Sequence, residues 1–220
     1  MTLLPESAST YAPKIDQLFW AILAITGFFF FLVQGCLLLF VLKYRARSGQ
    51  KAAYIHGNNL VEIIWTVIPA LILLALTLGS QKVWAEIRYP KYAPPASLQV
   101  EILAEQFAWN IRYPGPDGQF DTADDITTIN QLHLPVGTPV QVNIRSKDVI
   151  HSFFVPEFRV KQDAVPGLPT RVWVEATRPG QFEIRCAELC GLGHYRMKGF
   201  VTTEPIADFQ KWLTETKANE

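Results

Sequence analysis

Apolar positions along the chain follow two helical stretches and then a different rule. From Trp20 to Leu42 no residue carries a formal charge, over 23 positions. A second run, Leu60 to Leu78, covers 19 positions and is interrupted only by Glu62 near one end and by Pro69. At the helical rise these runs reach about 34 Å and about 28 Å, against a hydrocarbon core of about 30 Å, so they predict two membrane-crossing helices. Past residue 97 the period changes to two. Leu98, Val100, Ile102 and Ala104 share a face, as do Val140, Val142 and Ile144, then Val172, Val174 and Ala176, then Phe182, Ile184 and Cys186. Alternating runs between Gly, Pro and Asp turns predict an antiparallel sandwich or barrel. After Pro205, Ile206, Phe209, Trp212 and Leu213 fall on one face of a short helix. The layout expected is an N-terminal outer segment at 1–19, a helix hairpin at 20–80, a proline-bearing linker at 81–97, a β domain at 98–204 and a C-terminal helix and tail at 205–220.

The first run is too long for a signal peptide. The residues before it, Glu6, Lys14 and Asp16, form no basic leader, and no small-residue cleavage site follows. The loop between the runs holds Lys43, Arg45, Arg47 and Lys51 without an acid, which places it in the cytoplasm and both chain ends on the opposite side. For a bacterium that side is the periplasm of the inner (cytoplasmic) membrane. A bacterial origin is favoured over a mitochondrial one. Twenty basic residues balance twenty acidic ones, which argues against nucleic-acid binding.

The strongest chemical signal is Cys186-Ala-Glu-Leu-Cys190-Gly-Leu-Gly-His194-Tyr-Arg-Met197. Thiolate and thioether are soft donors that favour copper, and imidazole suits copper too, whereas structural zinc takes four Cys or His ligands and does not recruit Met. Gly191 and Gly193 let the chain turn between ligands. A mononuclear blue-copper site needs one Cys, two His and a weak Met. With a second Cys, two thiolates can bridge two ions, with His and Met as terminal ligands. A further His is then wanted, and His151 in Asp148-Val-Ile-His151-Ser-Phe-Phe is the best placed. His56 and His133 have no such company and are expected to be surface or turn residues. Cys36, inside the first span, is expected to be a packing residue.

This arrangement resembles subunit II of haem–copper cytochrome c oxidase over nearly the whole chain. The resemblance implies a cupredoxin-like Greek-key β-barrel after the two-helix transmembrane hairpin, holding the binuclear copper centre CuA. Its ligands would be His151, Cys186, Cys190, His194 and Met197, with the backbone carbonyl of Glu188. The Glu188 side chain would reach a magnesium ion shared with subunit I, as oxygen ligands suit magnesium. Glu62-Ile-Ile-Trp65-Thr66-Val-Ile-Pro69 is similar to the family's second-span signature, which implies that Glu62 stands at a proton-path entrance. Lys161-Gln-Asp163-Ala-Val-Pro166-Gly167 is similar to a stretch near the subunit interface. Electrons would enter near Gln106, Phe107 and Trp109. Here the chain departs from the family, which commonly has Trp-Tyr-Trp after the Gln; Phe lacks the indole N–H, and this leaves the donor open between a c-type cytochrome and another redox carrier.

The function implied is one-electron transfer from that donor through copper to the haem of subunit I, for reduction of O2 coupled to proton translocation. The alternative is the copper subunit of a related nitric oxide reductase. A quinol oxidase subunit would lack the copper ligands, and a copper carrier would need a more open site. The acidic loop Asp117 to Asp125 is expected to be a solvated turn, with donor steering or calcium binding as its other readings.

Overall fold

The computed structural model describes residues 3–51, 53–89 and 91–218. Lys14–Ala85 form one compact unit, and the flanking segments together form another.

In the first unit, α1 (Ala12–Lys43) and α2 (Asn59–Arg88) are both long and apolar enough to cross a membrane. Side chains such as Phe31, Leu38 and Leu73 are exposed rather than packed, which suits a helix whose solvent is lipid. Asn58 starts α2 by accepting hydrogen bonds from the N–H groups of Leu60 and Val61 at 3.0 and 3.2 Å. Both helices outrun the apolar stretches. Residues 81–88 are helical, where the sequence pattern places a linker. An apolar run marks the hydrocarbon boundary, while helical hydrogen bonding continues through polar helix formers such as Gln81, Lys82 and Glu86.

The second unit is a β-sandwich. Its strands are β1 (Leu98–Glu105), β2 (Ala108–Tyr113), β3 (Ile126–Ile129), β4 (Gln131–Pro135), β5 (Val140–Ser146), β6 (His151–Val155), β7 (Val160–Ala164), β8 (Thr170–Val174), β9 (Gly180–Cys186) and β10 (Lys198–Glu204). One sheet has the order β3-β2-β1-β5-β8 and the other β4-β10-β9-β6-β7. The predicted alternation holds: Val100, Ile102, Ala104, Val140, Val142, Ile144, Val174, Ala176 and Ile184 are buried. The all-antiparallel expectation does not hold, because β1 pairs with β5 and β4 with β10 in parallel. The chain crosses between the sheets before β5, which returns beside β1, whereas β10 follows its antiparallel neighbour β9 in the same sheet and lies against β4 on its other side.

Residues 5–12 belong to this unit. The Ala8 and Thr10 N–H groups donate to the carbonyls of Glu157 and Glu175 at 2.8 and 3.1 Å, and the Thr177 N–H donates to the Ala8 carbonyl at 3.0 Å. Ser9 Oγ donates to the Phe158 carbonyl at 2.8 Å. Ala8, Ser9, Tyr11 and Ala12 are buried. Residues 5–12 and the β domain therefore share one unit, although the two long helices separate them in sequence.

The C-terminal helix α3 (Ile206–Ala218) buries Phe209 and lays Trp212 flat on His133, with ring centroids 3.9 Å apart and planes 5° apart. His133 Nδ1 also lies 2.8 Å from Glu204 Oε1. His133 is thus a packing residue under α3 and not the surface residue expected. In the acidic loop, Arg112 pairs with Asp121 and, at 3.4 Å, with Asp125, while the Gln119 N–H donates to Asp117. These bonds are those of a folded turn.

Candidate metal centre

Strand pairing brings the chemistry together. His151 opens β6 and Cys186 closes β9, and these strands are antiparallel neighbours with Phe153 opposite Cys186. The chain then leaves the sheet, loops, and re-enters as β10, whose Lys198 pairs with Arg185. The Cys186 N–H donates to the Met197 carbonyl at 3.3 Å and closes the base of the loop. Residues 186 and 197 are therefore adjacent despite their separation in sequence. Within the loop, Gly191 has φ +132°, a conformation that L side chains rarely adopt. A 3-10 turn at His194–Arg196 then swings His194 back toward the sulfurs.

Cys186 Sγ lies 3.7 Å from Cys190 Sγ and 3.9 Å from His151 Nδ1. Cys190 Sγ lies 3.7 Å from both His194 Nδ1 and Met197 Sδ. The Glu188 carbonyl oxygen is 3.2 Å from Cys186 Sγ. All six residues expected to hold metal are brought to one place. Among the described residues, His151, Cys186 and Cys190 form a group of metal-binding geometry, their ligand atoms within 4.8 Å of one another. His151, Cys190 and Met197 are buried; Cys186 and His194 are half-buried.

This donor set fits copper. The cysteines are free thiols, and their sulfurs are well beyond the roughly 2.05 Å of a disulfide. Two thiolates each about 2.3 Å from one ion can stand at most about 4.6 Å apart, and 3.7 Å is inside that limit. Burial, reinforced by hydrogen bonding and charge repulsion from Cys186, pushes the Cys190 thiol up to about 11. The thiolate is the ligand form, so a bound cation would have to displace that proton.

Asp148 supports this set. Its Oδ1 lies 2.8 Å from His151 Nε2, so His151 is held with Nε2–H outward and Nδ1 toward the sulfurs. Burial acts to raise the Asp148 carboxyl, but hydrogen bonds from His151 and from the N–H groups of Gln106 and Val149 outweigh it and hold the group below the usual carboxylate range. The pattern Asp148-Val-Ile-His151 contains the signal, a carboxylate three residues before a ligand, yet Asp148 was not among the residues expected in the site.

The other expected residues are placed differently. The Glu188 side chain pairs with Lys161 Nζ at 3.1 Å, and the same ammonium reaches Asp163 Oδ1 at 3.2 Å. The hydrogen bond to Glu188, more than that to Asp163, raises the Lys161 pKa. Gln106 is exposed and Phe107 half-buried, at the turn between β1 and β2. Trp109 is fully buried, its ring centroid 6.3 Å from that of His151 and 5.9 Å from that of Phe153. It packs beside His151 in the core rather than at the surface. Glu62 sits in the first turn of α2, in the helix-hairpin unit.

Comparison with known proteins identifies the family of the chain. Residues 98–203 match the family model of the cytochrome c oxidase subunit II periplasmic domain, and residues 1–83 match that of the subunit II transmembrane domain. The chain is 35% identical to the alternative cytochrome c oxidase subunit 2 of Bradyrhizobium diazoefficiens, over 92% of this chain and 79% of the relative. It is 32% identical to the cytochrome c oxidase subunit 2 of Thermostichus vulcanus, over 98% of this chain and 79% of the relative. The crystal structure of the periplasmic domain of subunit II of cytochrome oxidase from Bradyrhizobium japonicum superposes with a TM-score of 0.52 at 27% identity, covering 58% of this chain and 98% of that domain. On both halves of its length, with two apolar helices followed in sequence by a cupredoxin-like β domain, the chain belongs to the cytochrome c oxidase subunit II family.

Proposed function

We propose that His151, Cys186, Cys190, His194, Met197 and the Glu188 carbonyl hold a binuclear copper centre through which this subunit takes electrons one at a time and delivers them to the haem of subunit I. The observation that carries this reading is the convergence of two sulfurs 3.7 Å apart with imidazole nitrogens and a thioether 3.7–3.9 Å from them. Bound copper supplies a one-electron couple shared between two ions. The protein residues supply the rest. The β6–β9–β10 ladder fixes the ligand-bearing ends, so the donors move little when charge arrives. Burial of His151, Cys190 and Met197 keeps water from those ligands. Asp148 orients one imidazole and raises its basicity.

Both named relatives are cytochrome c oxidase subunits, which favours O2 over nitric oxide as the acceptor of the assembled complex. The basic 43–51 loop supports a cytoplasmic position for that loop and a periplasmic one for the β domain in a bacterial inner membrane. The shared unit of residues 5–12 and the β domain supports both chain ends lying on one side. Glu62 then lies at the cytoplasmic end of its span, where it serves as the proton-path entrance. Glu188 serves the shared magnesium through its carboxylate once Lys161 releases it. With Trp109 buried, Phe107 is left as the aromatic contact of an electron donor, and its lack of an N–H argues for a donor other than a standard soluble cytochrome c.

The test is the oxidase assembled with subunit I. Cys190→Ser should lose copper and turnover together, and Glu62→Gln should slow turnover several-fold while leaving copper content unchanged. Full turnover in a copper-depleted Cys190→Ser complex refutes the reading.

A further inference from the structure

The turn between β1 and β2 touches both ligand-bearing segments through one residue. Glu105 pairs with Ala108, leaving Gln106 and Phe107 at the tip. The Gln106 N–H donates to Asp148 Oδ2 at 2.7 Å, and the other oxygen of the same carboxylate holds His151. The Gln106 side-chain amide donates to the Cys190 carbonyl. Glycine makes room for this approach. A Cβ at Gly191 would stand 2.6 Å from Gln106 Nε2, and one at Gly193 would stand 2.4 Å from Phe107 Cδ2. The tip is therefore closed against the loop that carries Cys190 and His194, with no space between.

From these contacts we infer that Gln106 is a positioning residue for the metal centre, fixing the Cys190–His194 loop with its side-chain amide and the Asp148–His151 pair with its backbone N–H. This goes beyond a place on the donor-facing surface. It joins that surface to ligands on two different segments, so that displacement of the tip changes the ligand geometry. The inference rests on the copper reading above.

The test uses the full chain in detergent, loaded with copper, and two variants of similar side-chain length, Gln106→Leu and Gln106→Glu. Neither a methyl group nor an ionised carboxylate can donate to the Cys190 carbonyl. The position is exposed, so thermal unfolding of the metal-free variants should track the parent. Both variants should release copper to a chelator about 10-fold faster, as expected for a partner of a ligand-bearing segment, and both should show altered visible bands and a shifted midpoint potential. Lys211→Ala, which removes an exposed pair with Glu215 on α3, should change none of these. Release, spectrum and potential equal to the parent in both variants overturn the positioning role. Faster release with an unchanged spectrum and potential also overturns it, since Gln106 would then only cover the loop. A parent chain that takes up no copper instead defeats the copper reading, which keeps the two failures distinct.

Discussion

His151 is held from both sides: Asp148 Oδ1 lies 2.8 Å from Nε2, while Cys186 Sγ lies 3.9 Å from Nδ1. The carboxylate fixes the tautomer and leaves the other nitrogen as the donor. Asp148→Asn keeps the size and an acceptor oxygen but removes the negative charge. We expect copper affinity to fall about 10- to 100-fold and the midpoint potential to rise, because the oxidised centre loses a stabilising anion. Competition with a chelator and a redox titration check this; parental values in both would show that Asp148 is only a loop residue.

Met197 Sδ is buried, 3.7 Å from Cys190 Sγ. Met197→Leu keeps the volume and removes the thioether. Copper should stay bound and the potential should rise, since the oxidised state loses more from a missing donor than the reduced one. An unchanged redox titration would remove Met197 from the ligand set.

Phe209 anchors α3 beside the aromatic group of Tyr113, Trp212 and His133. Phe209→Ala should cost about 3 kcal/mol of β-domain stability and free the helix for proteolysis. Denaturant unfolding and limited digestion of the variant read the two effects. The copper spectrum should be unchanged, as α3 contributes no ligand.

Tyr113 is fully buried, and burial raises its hydroxyl pKa well above the ordinary value of 10.0 despite the hydrogen bond with His133. The unfolded chain ionises near pH 10 and the folded one does not. The stability linked to this group is therefore complete below about pH 10 and is lost as pH rises further. Tyr113→Phe should lower stability at neutral pH, because the His133 N–H loses its acceptor. It should also flatten the alkaline decline. Denaturant midpoints across pH 8–11 test this, and parallel declines in variant and parent would contradict it.

Much of this structure is legible in the sequence because the signals are local. Val140, Val142 and Ile144 announce their buried face by alternation alone, and the Cys186–Met197 spacing keeps most of the proposed ligand set within one loop. What escapes is set by distant pairings. The parallel neighbours β1 and β5 depend on where the chain crosses between sheets, which no period records. Ser9 and Tyr11 look like a polar leader until Phe158 and Trp173 supply the carbonyls that bind them. His133 looks solitary because Trp212, its stacking partner, is far along the chain. Gln106 stands out in sequence only by resemblance, since Cys190 and Asp148 meet it from two other segments.

The most direct measurement is copper stoichiometry together with the electron spin resonance spectrum of the loaded chain. A paired centre predicts about two copper ions per chain and a hyperfine pattern shared between two equivalent nuclei. One copper per chain with a four-line single-ion pattern, or tightly held zinc in its place, contradicts the account.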